Sequence, residues 1–325
     1  MTSEMKRILM MRGAKILVEN CANVKKGEKV LVITDTEMTS IAETVAGAAY
    51  ARGAEVVITI MEPRKINGEE PPQVVAEAMK ASDVIFAPVI RSITHTHASK
   101  NALKAGSRAV FMSSYTEDMM ISGGIDADFN SQKPIVEEVA RRLSKSEVAE
   151  VTTEKGMKLR MVTKGRQVNA LTGIVHEPGS FSPVPTIEAN VTPLEGSAEG
   201  VIVSDASITG IGLLSEPVRI SVEKGNVVDI SGGREAQRFR EMIEGLKDPN
   251  AYNIAELGFG LNPKARLIGV MLEDEGVLGT IHIGIGTNTM LGGKIKSPFH
   301  SDCIVWNPTV TLDGRPLMQK GKLVL

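Results

Sequence analysis

Aromatic residues are scarce in this 325-residue chain: seven phenylalanines, three tyrosines and one tryptophan, 3 % in all. So few rings argue against a base-stacking platform for single-stranded nucleic acid. Sixteen methionines take up the gap-filling role that rings would otherwise have in a core. There are two cysteines, Cys21 and Cys303, too far apart for a CxxC site and too few for a disulfide framework. That suits a reducing compartment. A formal net charge of -2 leaves neither sign in the excess that would draw nucleic acid or an anionic membrane surface. No apolar run approaches the ~20 residues of a membrane span, and the start, "MTSEMKRILMMRGAKILVENC", lacks the pattern of a signal peptide. The expectation is a cytoplasmic protein with no nucleic-acid or membrane partner. Histidine is also short, with five in the chain.

What is present divides into two patterns. Hydrophobic content of 42 % against 23 % charged residues is that of an ordinary globular protein, and the length implies two domains. Up to about residue 150, short β-branched runs alternate with helical spacing. "EKVLVITD", "AEVVITIM", "DVIFAPVI" and "RAVFMSS" read as strands, and the segments between them as helices that stop at Gly53 and Gly106. Such alternation predicts a doubly wound, mostly parallel α/β sheet over 1–150. No GxGxxG or Walker pattern follows the first strand, so the fold carries no nucleotide site with it. From 151 to 325 the chain turns to short strands and tight turns. "PVRISVEKGNVVDISGG" predicts a hairpin, 234–246 a helix, and "ARLIGVMLED" and "DCIVWNPTVTLDG" further strands. This half is expected to be an α+β domain rich in antiparallel sheet.

Two of the five histidines fall in one glycine-rich run, "GTIHIGIGTNTMLGGKIKSPFHSD". In an extended segment side chains alternate, so His300 and Asp302 of "FHSD" share a face, where an imidazole and a carboxylate can grip one metal ion. His282, Gly284 and Gly286 share another, and the glycines are expected to leave room there for a substrate or a second ion. Glu256, in "NIAELGFGLNP", and Glu188, in "SPVPTIEANVTP", are carboxylates in apolar settings that need partners. Taken singly, a histidine in a strand is most often a core residue. Together the five form an N/O ligand set that zinc, cobalt, manganese and ferrous iron accept.

"NIAELGFGLNP", "LEDEGVLGTIHIGIG" and "FHSD", in that order, resemble the aminopeptidase T / aminopeptidase S family of metallopeptidases, and "PTIEANVTPLEGSAEGVIVSD" resembles the stretch that precedes them. The resemblance covers roughly residues 180 to 305. It implies a dimeric cytoplasmic aminopeptidase acting on short peptides. It further implies a centre of up to two divalent ions (zinc, cobalt or manganese) on Glu188, Glu256, His282, His300 and Asp302. Glu275, in "LEDEG", is the proton-shuttle candidate beside Asp274. Thr289 stands where those peptidases carry a tyrosine, and the chain is shorter than they are.

"GTNTMLGGKIKSPFHSD" and "EGSAEGVIVSD" also resemble the 2,5-dihydroxypyridine 5,6-dioxygenase family. That resemblance implies a single ferrous ion held by two histidines and an aspartate. His300 and Asp302 match, Glu256 stands where the other iron histidine falls, and a histidine near His95 faces the substrate. One histidine with two carboxylates is a poorer ferrous set than two histidines with one. The ligand types therefore favour a hydrolase, with the dioxygenase, or a metal-binding relative without activity, as the alternative. His95, in "ITHTHASK", is kept as a candidate acid or base at the end of a strand, where open α/β sheets place ligand groups.

Overall fold

In the computed structural model, which describes residues 3–325, the chain forms two compact units that are interleaved in sequence. One comprises residues 1–133 and 171–187, the other 134–170 and 188–325. A single cut at residue 150 therefore does not separate them. The division falls within the helix Phe129–Lys145, at Pro134.

The first unit holds a five-stranded sheet in the order Glu55–Met61, Lys29–Asp35, Val84–Val89, Arg108–Ser113, Phe181–Pro183, parallel throughout. Alternation puts Leu31, Ile33, Ile85 and Phe111 on one face, packed with Val75 and Met79 of helix Gln73–Lys80 and with Ala98 and Ala102 of helix His97–Lys104. Val30, Val32 and Phe86 are buried on the other face, and helix Thr39–Ala51 packs against the Lys29–Asp35 strand. Burial on both faces explains the unbroken apolar runs that mark these strands in the sequence.

The second unit holds two antiparallel sheets. Eight strands run from the hairpin Val218–Glu223 and Asn226–Ser231, through Lys158–Val162 and Val148–Thr152, to the C-terminal Lys322–Leu323. The other sheet has seven strands, and its middle carries Ser207–Ile208, His300–Trp306, Thr280–Gly286, Ile254–Gly260 and Glu188–Val191, in that order. Parallel and antiparallel sheet thus divide as the sequence pattern predicts. One expected strand is absent. "ARLIGVMLED" forms an irregular loop closed by a one-turn helix, Met271–Asp274, because Asp274 collects the loop's own amides. No helix among the described residues is long and apolar enough to cross a membrane.

Candidate metal centre

The metal-binding candidates come together on one face of the seven-stranded sheet, within the second unit. Strand register explains how. Glu256 pairs with Gly284, which pairs in turn with Asp302. One step along, Asn190 pairs with Gly258 and Gly258 with His282. Glu188 pairs with Gly260, and His300 with Gly286. Each large polar side chain therefore has a glycine beside it on a neighbouring strand.

Those glycines are filled space. A Cβ on Gly258 would overlap the His282 ring, and one on Gly284 would come within 2.7 Å of the Glu256 Cβ and 2.9 Å of His300 Cε1. The room expected for a substrate or ion beside Gly284 is taken by the protein's own Glu256 and His300. Gly286 has a second reason to be glycine, since its φ of +118° is one that L side chains rarely adopt.

Glu256 is the hub. Its Oε1 lies 3.6 Å from His282 Nε2 and its Oε2 lies 3.2 Å from His300 Nε2. Glu188 Oε2 is 3.4 Å from His282 Nε2, and Asp302 Oδ1 is 3.3 Å from His300 Nε2. Two groups of ligand atoms result, each within 4.8 Å: Glu188, Glu256 and His282, and Glu256, His300 and Asp302. Glu188, Glu256, His282 and Asp302 are 5 % exposed or less. The Nδ1 of His300 meets the Thr287 carbonyl at 2.8 Å, and a donor there leaves Nε2 free to bind.

Electrostatics within this cluster are strong. Burial opposes charge on His282, yet Glu188 and Glu256 outweigh it and push the pKa up to about 9. His300 is raised well above its ordinary value against the same burial, by Asp302 and then Glu256. Burial raises Glu188 to about 7, with His282 opposing and Glu256 adding to the rise. Glu256 and Asp302 are held low despite burial, Glu256 by hydrogen bonds from the two histidines and Asp302 by the charge of His300.

Glu275 faces Asp302. Burial and the Asp302 charge push it well above the usual carboxylate range, and a hydrogen bond joins the two carboxyls. Two carboxyls can share such a bond only if one keeps its proton, and the opposite shifts place that proton on Glu275. Its neighbour Asp274 turns the other way, accepting from Ser207 Oγ at 2.6 Å and from the backbone amides of Ile268 and Gly269. Of the two shuttle candidates, Glu275 alone faces the ligand cluster. Thr289 lies in a short turn after the His282 strand, with its hydroxyl 3.3 Å from that of Thr287.

His95 belongs to the other unit, exposed in the loop before helix His97–Lys104, its ring edge-on to Phe181. His176, in the same unit, bonds the Asn20 carbonyl at 2.8 Å. Two contributors were missed in the sequence. Asn190 donates to Glu188 Oε1 at 2.7 Å, and the same two-residue alternation that exposed His300 and Asp302 would have found it. The Thr287 carbonyl carries no side-chain signal.

The donor set fits a divalent cation. Glu188 Oε2 and Asp302 Oδ1 are buried acceptors without a hydrogen-bond partner, a costly state that a cation relieves. Ferrous iron is among the cations that such nitrogen and oxygen donors accept. The two histidines stand at different oxygens of Glu256, one in each ligand group.

Comparison with known proteins bears on the same choice. The family model described as 2,5-dihydroxypyridine 5,6-dioxygenase matches residues 17–325. A 2,5-dihydroxypyridine 5,6-dioxygenase of Pseudomonas putida KT2440 is 30 % identical over 164 residues, an alignment spanning 47 % of this chain and about half the length of that relative, 47 %. The solved structure of 2,5-dihydroxypyridine dioxygenase from P. putida KT2440 has the same fold, with a TM-score of 0.84 at 19 % identity, over 100 % of this chain and 98 % of that one. Wild-type AmpT from Thermus thermophilus is also similar in fold, with a TM-score of 0.70 at 17 % identity, over 98 % and 99 % of the two chains. The aminopeptidases are thus structural neighbours, and the expected metallo-aminopeptidase hydrolase is overturned by the family match. By a match over nearly its whole length, the chain belongs to the 2,5-dihydroxypyridine 5,6-dioxygenase family.

Proposed function

We propose that the chain is an iron-dependent oxidoreductase that opens a small dihydroxylated aromatic ring of the dihydroxypyridine type. The observation that carries this is the gathering of Glu256, the half-buried His300 and Asp302 into one ligand group, in a chain of this family. Glu256, His300 and Asp302 would hold the ferrous ion, with His282 on the other side of the shared carboxylate. Bound there, iron would supply the redox chemistry that brings dioxygen and an aromatic substrate to react.

The chain's own groups do the rest. The Thr287 carbonyl fixes the His300 ring. Glu275 keeps a proton against the ligand Asp302, and would be the group that gives or takes it there. The second group, Glu188, Glu256 and His282, offers a further cation pocket, giving up to two ions per chain.

The test uses protein purified without added metal and loaded anaerobically with ferrous iron. Oxygen uptake with 2,5-dihydroxypyridine is expected. His300→Ala and Asp302→Ala are expected to lose iron and oxygen uptake together while circular dichroism stays near wild type. Full iron content without uptake on dihydroxylated aromatics would overturn the activity, and either variant keeping full iron would overturn the ligand assignment.

A further inference from the structure

Glu188 is supported from one side only. On the neighbouring strand it faces Gly260, and Asn190, on the same face, pairs with Gly258. Neither glycine has a side chain that could hold the carboxylate in place. The support comes from a row of side-chain amides. Asn190 Nδ2 donates to Glu188 Oε1 at 2.7 Å, Asn169 Nδ2 donates to Asn190 Oδ1 at 2.8 Å, and Gln167 Nε2 donates to Asn169 Oδ1 at 3.3 Å. Asn190 is 2 % exposed and Gln167 lies at the surface, so the row runs from solvent to the buried carboxylate.

The direction of every bond is dictated by its inner end. An ionised carboxylate only accepts, so Asn190 must turn its NH2 inward and its carbonyl outward. Asn169 must then present its NH2 to that carbonyl. Aligned amides of this kind reinforce one another. With Oε1 engaged, Oε2 is the oxygen left 3.4 Å from His282 Nε2, buried and without a hydrogen-bond partner.

We propose that Asn190 and Asn169 are positioning residues that aim Glu188 Oε2 into the cation pocket it shares with Glu256 and His282. This rests on Glu188 being a ligand there. Outer partners of ligating carboxylates are worth about 10–100-fold in metal affinity. Asn169→Asp is the informative variant. It keeps the shape of residue 169 but cannot donate, so Asn190 must give up either its bond to residue 169 or its bond to Glu188.

The experiment titrates Mn(II), a redox-quiet probe of the same donors, into apo-protein. Glu188→Gln identifies the binding event to which Glu188 contributes. Asn190→Ala and Asn169→Asp are expected to weaken that same event about tenfold or more. In the Glu188→Gln background Asn190→Ala is expected to weaken it no further, as for two residues acting through one contact. A purely structural Asn190 would show the same loss in both backgrounds, and that result overturns the inference. So does an unchanged affinity in both asparagine variants while Glu188→Gln weakens binding, an outcome that leaves the ligand reading intact. If Glu188→Gln itself binds as wild type, the ligand reading fails first. Asn169→Asp conserves volume and lies outside the fully buried layer, so it keeps the test alive should Asn190→Ala not fold.

Discussion

At the scale of single residues, the metal centre depends as much on what is missing as on what is present. His282 can lie across the neighbouring strand only because residue 258 has no side chain. Gly258→Ala places a methyl group where the ring now is. The expected result is a displaced His282, about 1–3 kcal/mol of lost stability from overpacking, and weaker cation binding. Chemical denaturation and metal titration check the two effects separately, and an alanine variant matching wild type in both would show that the ring has room to move. The pairing of His300 with Asp302 was legible in the sequence because side-chain alternation is a local rule. The purpose of Gly258 and Gly284 was not. Which side chain fills the space above a glycine depends on strand register, and register here joins residues 24 and 28 positions apart.

At the scale of elements, the loop between the Glu256 and His282 strands is held by a carboxylate rather than by a ladder. Asp274 is 2 % exposed, and it accepts from the Ser207 hydroxyl, from the Ile268 amide at 2.8 Å and from the Gly269 amide at 3.0 Å. Asp274→Ala strands these donors. Each buried donor left unmade costs about 1–3 kcal/mol, and a loss of at least ~2 kcal/mol is expected, with faster hydrogen exchange over residues 265–275. An unchanged midpoint with unchanged exchange would mean that the loop holds itself. The same contacts explain why "ARLIGVMLED" misleads as a strand. Its apolar residues are those of a strand, but Gly269 has φ of +80° and Asp274 draws the loop around itself. By contrast, the strands Lys29–Asp35, Val84–Val89 and Arg108–Ser113 lie within a residue or two of the spans read from sequence. Burial on both faces gives them an apolar signature that needs no knowledge of their partners.

At the scale of the whole molecule, the cluster ties stability to pH in an unusual direction. The pKa of His282 is raised to about 9, so its stabilising effect is complete below its unfolded value near 6.5 and is lost as pH rises through 9. Glu188 is raised to about 7 and likewise binds more protons folded than unfolded between about 4.5 and 7. Metal-free protein is therefore expected to lose stability from this site as pH climbs from about 5 to 9. A bound cation replaces those protons, so metal affinity should rise over the same range and the melting temperature of loaded protein should fall less. Melting curves of both forms at pH 5, 7 and 9 measure this, and an apo-protein that gains stability steadily across that range would contradict it. The same crowding of titratable groups limited what could be read from sequence. Two families share the surrounding motifs, and the split of the two histidines between separate ligand groups became clear only once the strands were side by side.

The interleaving of the two units sets the order in which they can be completed during synthesis. The five-stranded sheet takes its last strand, Phe181–Pro183, from beyond residues 134–170, which belong to the other unit. A ribosome must therefore emit part of the second unit before the first can close its sheet. The Arg108–Ser113 strand waits with an open parallel edge for about seventy residues, roughly 4–14 s at ordinary elongation rates. The nascent chain passes through a stage in which neither half is a finished domain, and a chain released at residue 150 would be left in that state.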